Sequence, residues 1–104
     1  MTKTEVLERI DKLSEAISLL TDDFSVVGVE IENFHDHDAP AVHVDRYKGD
    51  GKNETALAEF GETHGYSVKR VAFYTTHYDG VLVIAPNGVL IFQLVTPRED
   101  VKDD

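Results

Sequence analysis

The segment NFHDHDAPAVH, residues 33–43, gathers three of the chain's five histidines together with Asp36 and Asp38. On an extended backbone, residues two apart point the same way, so His35 and His37 could chelate one cation. Asp36 or Asp38 could complete such a set, with His43 reaching back from a following strand. Imidazole and carboxylate donors of this kind suit zinc or nickel. The spacing departs from hydrolytic signatures, however. In the H-x-H-x-D-H pattern of metallo-β-lactamase-type hydrolases, the last two ligands would fall on Ala39 and Pro40. Helical H-E-x-x-H spacing is absent as well. A polar connection rich in aspartate and proline accounts for the same residues without a metal. Metal binding through His35, His37, His43 and Asp38 is therefore one expectation, and a loop between strands is the other.

The rest of the chain offers little further chemistry. His64 continues the apolar face of a short helical pattern, His77 stands beside a turn signal, and neither has a nucleophile nearby in sequence. No G-x-S-x-G, phosphate-binding P-loop or G-x-G-x-x-G occurs. Zero cysteine removes disulfides, thiolate zinc sites and cysteine nucleophiles together, and it suits a cytoplasmic protein. No cofactor is implied, and the reading leans away from an enzyme. The aromatics of FYTTHY, residues 73–78, could stack bases, but only Lys69, Arg70 and Arg98 lie near them. Sheet packing or an oligomer contact explains them better.

Charge is the most unusual bulk property. Twenty acids oppose ten bases over 104 residues, a net charge of −10. The split is uneven: residues 1–65 carry a net −9 and residues 66–98 a net +2. Such a chain repels phosphate backbones, so direct nucleic-acid binding is not expected. Solubility is one reading of the acidity; an acidic face that docks on a basic protein surface is the other. Glu8, Asp11, Glu15, Glu30 and Glu32 would form that face. No apolar run approaches the roughly 20 residues that span a bilayer, and Met1-Thr2-Lys3 leads directly into a charged helical pattern.

These side chains need elements to position them. Val6, Ile10, Leu13, Ile17 and Leu20 recur at helical spacing, and Thr2 with Glu5 has capping-box spacing. Val27, Val29 and Ile31 alternate with Glu30 and Glu32, which predicts a half-buried strand. Val42 and Val44 alternate with His43 and Asp45, and the two segments should form a hairpin across residues 34–40. A second helix is expected from an Asn53 cap through Leu57, Phe60 and His64 to Gly65, although Gly61 within it costs about 1 kcal/mol against alanine.

Asp79-Gly80 and Asn87-Gly88 then predict two tight turns and a three-stranded meander. Two-residue turns would pair His77 with Leu82, Thr75 with Ile84, Ile84 with Ile91, and Leu82 with Gln93. One sheet face would then carry Val71, Phe73, Leu82, Ile84, Val89, Ile91 and Val95. The other would carry Tyr74, Tyr78, Val83, Leu90, Phe92 and Leu94. Both faces are apolar, so either the sheet curls or a second element, such as a homodimer partner on the latter set, covers it.

The run VVGVEIENF…AVHVDRY…ALAEFGETHG…VKRVAFYTT…DGVLVIAPNGVLIFQLVT resembles short α+β proteins encoded by phages and prophages of Gram-positive bacteria. The likeness covers roughly residues 26–95 and rests on Val42-His43-Val44, Phe60-Gly61-Glu62 and Gly88–Leu94. It implies the fold but brings no activity and no functional residue. The fold expected is α+β in one domain over residues 1–97: helix, hairpin, short helix, meander, one sheet of about five strands with both helices on one face. An acidic, solvated tail over residues 98–104 follows. The function expected is that of a small acidic, non-enzymatic accessory protein that binds another protein. A metal-binding or metal-dependent alternative would use the loop 35–43.

Overall fold

The structure, a computed structural model, describes residues 1–34, 37–44, 56–73 and 78–97, with the backbone alone at 72, 73, 78, 79 and 95–97. Asn53, the residue expected to cap the second helix, lies outside them, as do His77 and the tail 98–104.

Helix α1 (Lys3–Leu19) begins at the expected capping box: Thr2 Oγ1 accepts the Glu5 N–H at 3.1 Å, and the Glu5 carboxylate accepts the Thr2 N–H at 3.3 Å. The Thr2 N–H bond first, and the Thr2 hydroxyl after it, favour the ionised carboxylate and hold the Glu5 pKa below its ordinary value. The apolar core contacts of the helix come from its C-terminal half. Leu13 and Ala16 are buried and Ile17 and Leu20 partly so, whereas Ile10, expected on the core face, is exposed along with Leu7.

Five strands follow in one sheet of order β1-β2-β5-β4-β3, namely β1 (Val26–Glu30), β2 (Ala41–Val44), β3 (Ser67–Phe73), β4 (Tyr78–Ile84) and β5 (Leu90–Pro97). Helix α2 (Ala56–Thr63) lies between β2 and β3 in sequence. The pairs β1–β2, β3–β4 and β4–β5 are antiparallel, and β2 joins β5 in parallel. The α+β fold, the five-stranded sheet and the two helices together on one face follow the expectation. Leu13 and Ala16 of α1 and Leu57, Ala58 and Phe60 of α2 share one core with Val42, Val44, Val81, Val83, Val89 and Ile91.

Gly61 explains itself here. A β-carbon at this position would stand 2.6 Å from Val68 Cγ2 and 3.0 Å from Val83 Cγ2. Glycine lets α2 sit directly on β3 and β4. The helix ends as expected at Gly65 (φ 75°), where Tyr66 N–H donates to the Gly61 carbonyl and Gly65 N–H to the Glu62 carbonyl.

Three expectations need correction. Asn87-Gly88 is not a two-residue turn. Such a turn would need an N–H from residue 86, and Pro86 has none. Ala85 instead closes a three-residue loop: Gly88 N–H donates to the Ala85 carbonyl, Ala85 N–H donates to the Val89 carbonyl, and Gly88 takes φ 90°. Ile84 therefore pairs with Leu90 and Leu82 with Phe92, one residue off the expected register.

Asp79-Gly80 is not a turn either. Both residues lie inside β4, where Val71 pairs with Gly80 and Phe73 with Tyr78. Strand β4 is central, so each added residue gains ladder partners on both sides, which outweighs a local turn preference.

The slip redistributes the faces, because one residue of shift exchanges every side chain between them. Val83 belongs with Val89 and Ile91 under the helices, while Leu82 and Ile84 join Leu90, Phe92 and Leu94 opposite. Tyr74 lies outside the described residues and the Tyr78 side chain is not among those described.

The first strand also differs. A bulge between Val26 and Gly28 interrupts its alternation, and Val27 and Val29, expected half-buried, are 52% and 50% exposed at the sheet edge. Helix α1 reaches over this side of the sheet but does not cover it.

Candidate functional site

The face away from the helices has its own small core, Phe34, Ala41, Leu82 and Leu90, with Phe92, Leu94, Ile84 and Val71 around it. What covers it is the loop that joins β1 to β2. The phenyl ring of Phe34 stacks on Phe92 at 4.5 Å between centroids, His43 stacks on Phe92 at 4.3 Å, and His37 lies over Phe34 at 6.5 Å. Four rings thus form a ladder, with a histidine at each end. Neither strong sheet curvature nor a second copy is required to bury Leu82 and Leu90.

The loop is pinned from within and from α1. Phe34 N–H donates to the Ala39 carbonyl at 3.0 Å, and His37 N–H donates to the Phe34 carbonyl at 2.9 Å. Arg9 reaches across with its guanidinium: Nη1 donates to the Ile31 carbonyl and to Asn33 Oδ1, each at 3.1 Å. Nη2 donates to Asp38 Oδ1 at 3.2 Å. Arg9 is the residue that sequence reasoning missed here. It falls on the buried arc of α1 with Val6, Leu13 and Ala16, and a base on that arc was the available signal. Met1, Glu5, Arg9, Glu32, Asn33 and Asp38 line a shallow cleft of about 270 Å³ beside it.

The three proposed ligands among the described residues, His37, His43 and Asp38, are not brought to one point. His37 and His43 sit at opposite ends of the ring ladder, and the Asp38 carboxylate is turned to Arg9. His35 and Asp36 lie outside the described residues. Among the described residues, no group of three or more histidines, aspartates and glutamates could hold a metal ion. The described part of the loop carries one phenyl ring, Phe34, onto the sheet.

His64 occupies a different place. Its Nδ1 lies 2.8 Å from the Phe60 carbonyl, which can only accept, so Nδ1 is the donor in this contact. Its ring packs against Phe60 and Tyr66, and Phe24 meets Phe60 edge-on at 5.8 Å. A second open cleft, about 310 Å³, runs past Asp23, Phe24, Glu59, Phe60 and His64. Thr21 and Thr63 supply the hydroxyls on its wall.

The five acidic residues expected to meet a partner, Glu8, Asp11, Glu15, Glu30 and Glu32, are all exposed. By helical period Glu8, Asp11 and Glu15 form a ridge opposite the buried arc of α1. Glu30 pairs with Ala41, which directs it to the face away from the helices. The helix ridge and Glu30 therefore face different ways rather than forming one flat patch. Among the described residues, no helix is long and apolar enough to cross a membrane. Comparison with protein-family models, with curated proteins and with solved structures finds no match to this chain.

Proposed function

We propose that this chain is a small acidic accessory protein, non-enzymatic and cytoplasmic, that acts by binding a basic surface of another protein. One observation carries the reading. Glu8, Asp11, Glu15, Glu30 and Glu32 stand in solvent, and Leu7, Ile10, Val26, Val27 and Val29, close to them in sequence, are exposed as well. Exposed apolar residues rimmed by charge are the composition of a protein interface, and carboxylates of one sign select a basic partner. The resemblance to short phage- and prophage-encoded proteins is in keeping with such an accessory role.

Affinity capture tests it, with the wild type against a Glu8→Lys, Asp11→Lys, Glu15→Lys variant. A basic partner should be recovered at low salt, released at roughly 1 M salt where the screening length falls to about 3 Å, and lost from the variant. Recovery indifferent to both salt and charge reversal would sink the reading.

A further inference from the structure

Among the described residues, the sheet ends in two edge strands of opposite character. Strand β3 presents exposed Lys69 and Arg70 on one, a guard against further pairing. Strand β1 has no base along it. Val26, Val27 and Val29 are 40%, 52% and 50% exposed there, and a β-carbon on Gly28 would meet nothing within 4 Å. Its bulge ends at Gly28, so Gly28, Val29 and Glu30 remain in regular register with β2. An edge of this kind offers unpaired backbone groups to an added strand.

The two sides of that edge differ in chemistry. Val26 and Val29 pair with Val44 and Val42, which places them on the helix side. Asn87 Nδ2 donates to the Lys12 carbonyl at 3.0 Å and so turns that flank of α1 toward the β4–β5 hairpin. Leu7 and Ile10 occupy the opposite flank by helical period, and both are exposed. On the other side of the edge stands Glu30, with its carboxylate in solvent.

We infer that β1 accepts an extended segment of a partner protein as an added strand, and that this segment alternates apolar with basic residues. Its apolar side chains lie against Val26 and Val29, and its lysines or arginines lie near Glu30. Charge chooses this occupant over a second copy, since two chains of net charge −10 repel and would bring β1 carboxylates together. The inference rests on the acidic-binder reading and narrows it to one edge and one strand chemistry.

The test uses the full chain and a capped peptide of about ten residues alternating valine and lysine, a usual strand length. A peptide of identical composition with its valines and lysines in separate blocks is the control. Amide shifts and hydrogen exchange report the site. The alternating peptide should protect β1 amides and bind more tightly than the block peptide. Val29→Lys and Glu30→Lys should each weaken it by roughly fivefold or more, as loss of an exposed contact plus like-charge repulsion implies. Both positions are exposed, so the fold survives the changes, which a melting curve checks.

Equal binding of the two peptides, or shifts confined to Glu8, Asp11 and Glu15, would overturn the edge inference and leave the acidic-binder reading standing. No binding of either peptide even at low salt would overturn both. Concentration-dependent protection of β1 without peptide would assign the edge to a second copy and overturn the inference.

Discussion

At the scale of single residues, Arg9 makes more hydrogen bonds to the described part of the loop than any other side chain of α1. Its ion pair with Asp38 is weak, because Asp38 is 88% exposed while Arg9 is 19% exposed, and such pairs contribute about 0–1 kcal/mol. The bonds to the Ile31 carbonyl and Asn33 are the ones that fix the chain's path out of β1. Arg9→Ala is accordingly expected to lower unfolding stability by about 1–2 kcal/mol, against less than about 0.5 kcal/mol for Asp38→Ala. Urea denaturation of both variants measures this, and equal losses would assign the effect to the ion pair. The histidines drew notice in the sequence because their spacing has chemical meaning. Arg9 did not, because its partners lie 22 to 29 residues away and only the fold brings them near.

At the scale of elements, helix limits were readable and turn registers were not. The Thr2–Glu5 box and the Gly65 terminus are local devices, set by atoms within six residues of one another, and both occur where the pattern placed them. The β4–β5 turn is local too, but it was misjudged by weighing Asn87-Gly88 without the missing donor of Pro86. The β3–β4 register depends on how far a central strand extends, a competition that no dipeptide decides. Gly61 is a sharper case. Alanine would improve helix propensity by about 1 kcal/mol, yet its β-carbon would drive into Val68 and Val83, and overpacking costs about 1–3 kcal/mol. Gly61→Ala should thus be net destabilising by on the order of 1 kcal/mol in a thermal melt. A stabilised variant would mean that α2 can lift off the sheet at little cost.

At the scale of the whole molecule, the two apolar faces of the sheet are covered by different means. Helices α1 and α2 cover one face, and the Phe34 loop covers the middle of the other. Phe34→Ala should remove that cover, lower stability by about 3 kcal/mol, and uncover Leu82, Leu90 and Phe92. Increased binding of a hydrophobic dye together with self-association in light scattering would register the exposed face. An unchanged dye signal would show that other parts of the chain suffice to cover it. The histidine-rich segment thereby takes on a packing role, with His37 and His43 closing the two ends of an aromatic ladder.

The sequence alone determined the elements, the α+β class, the acidic character and the apolar nature of both sheet faces. Each of these follows from composition or from periods of 2 and 3.6 residues, which are properties of a local stretch. Only the tertiary structure decided which strands form the sheet edges, which way the carboxylates face, and what lies over the second face. Those outcomes depend on pairings between residues far apart in the chain. A one-residue change of register exchanges the faces of a whole strand, so local pattern leaves them undetermined.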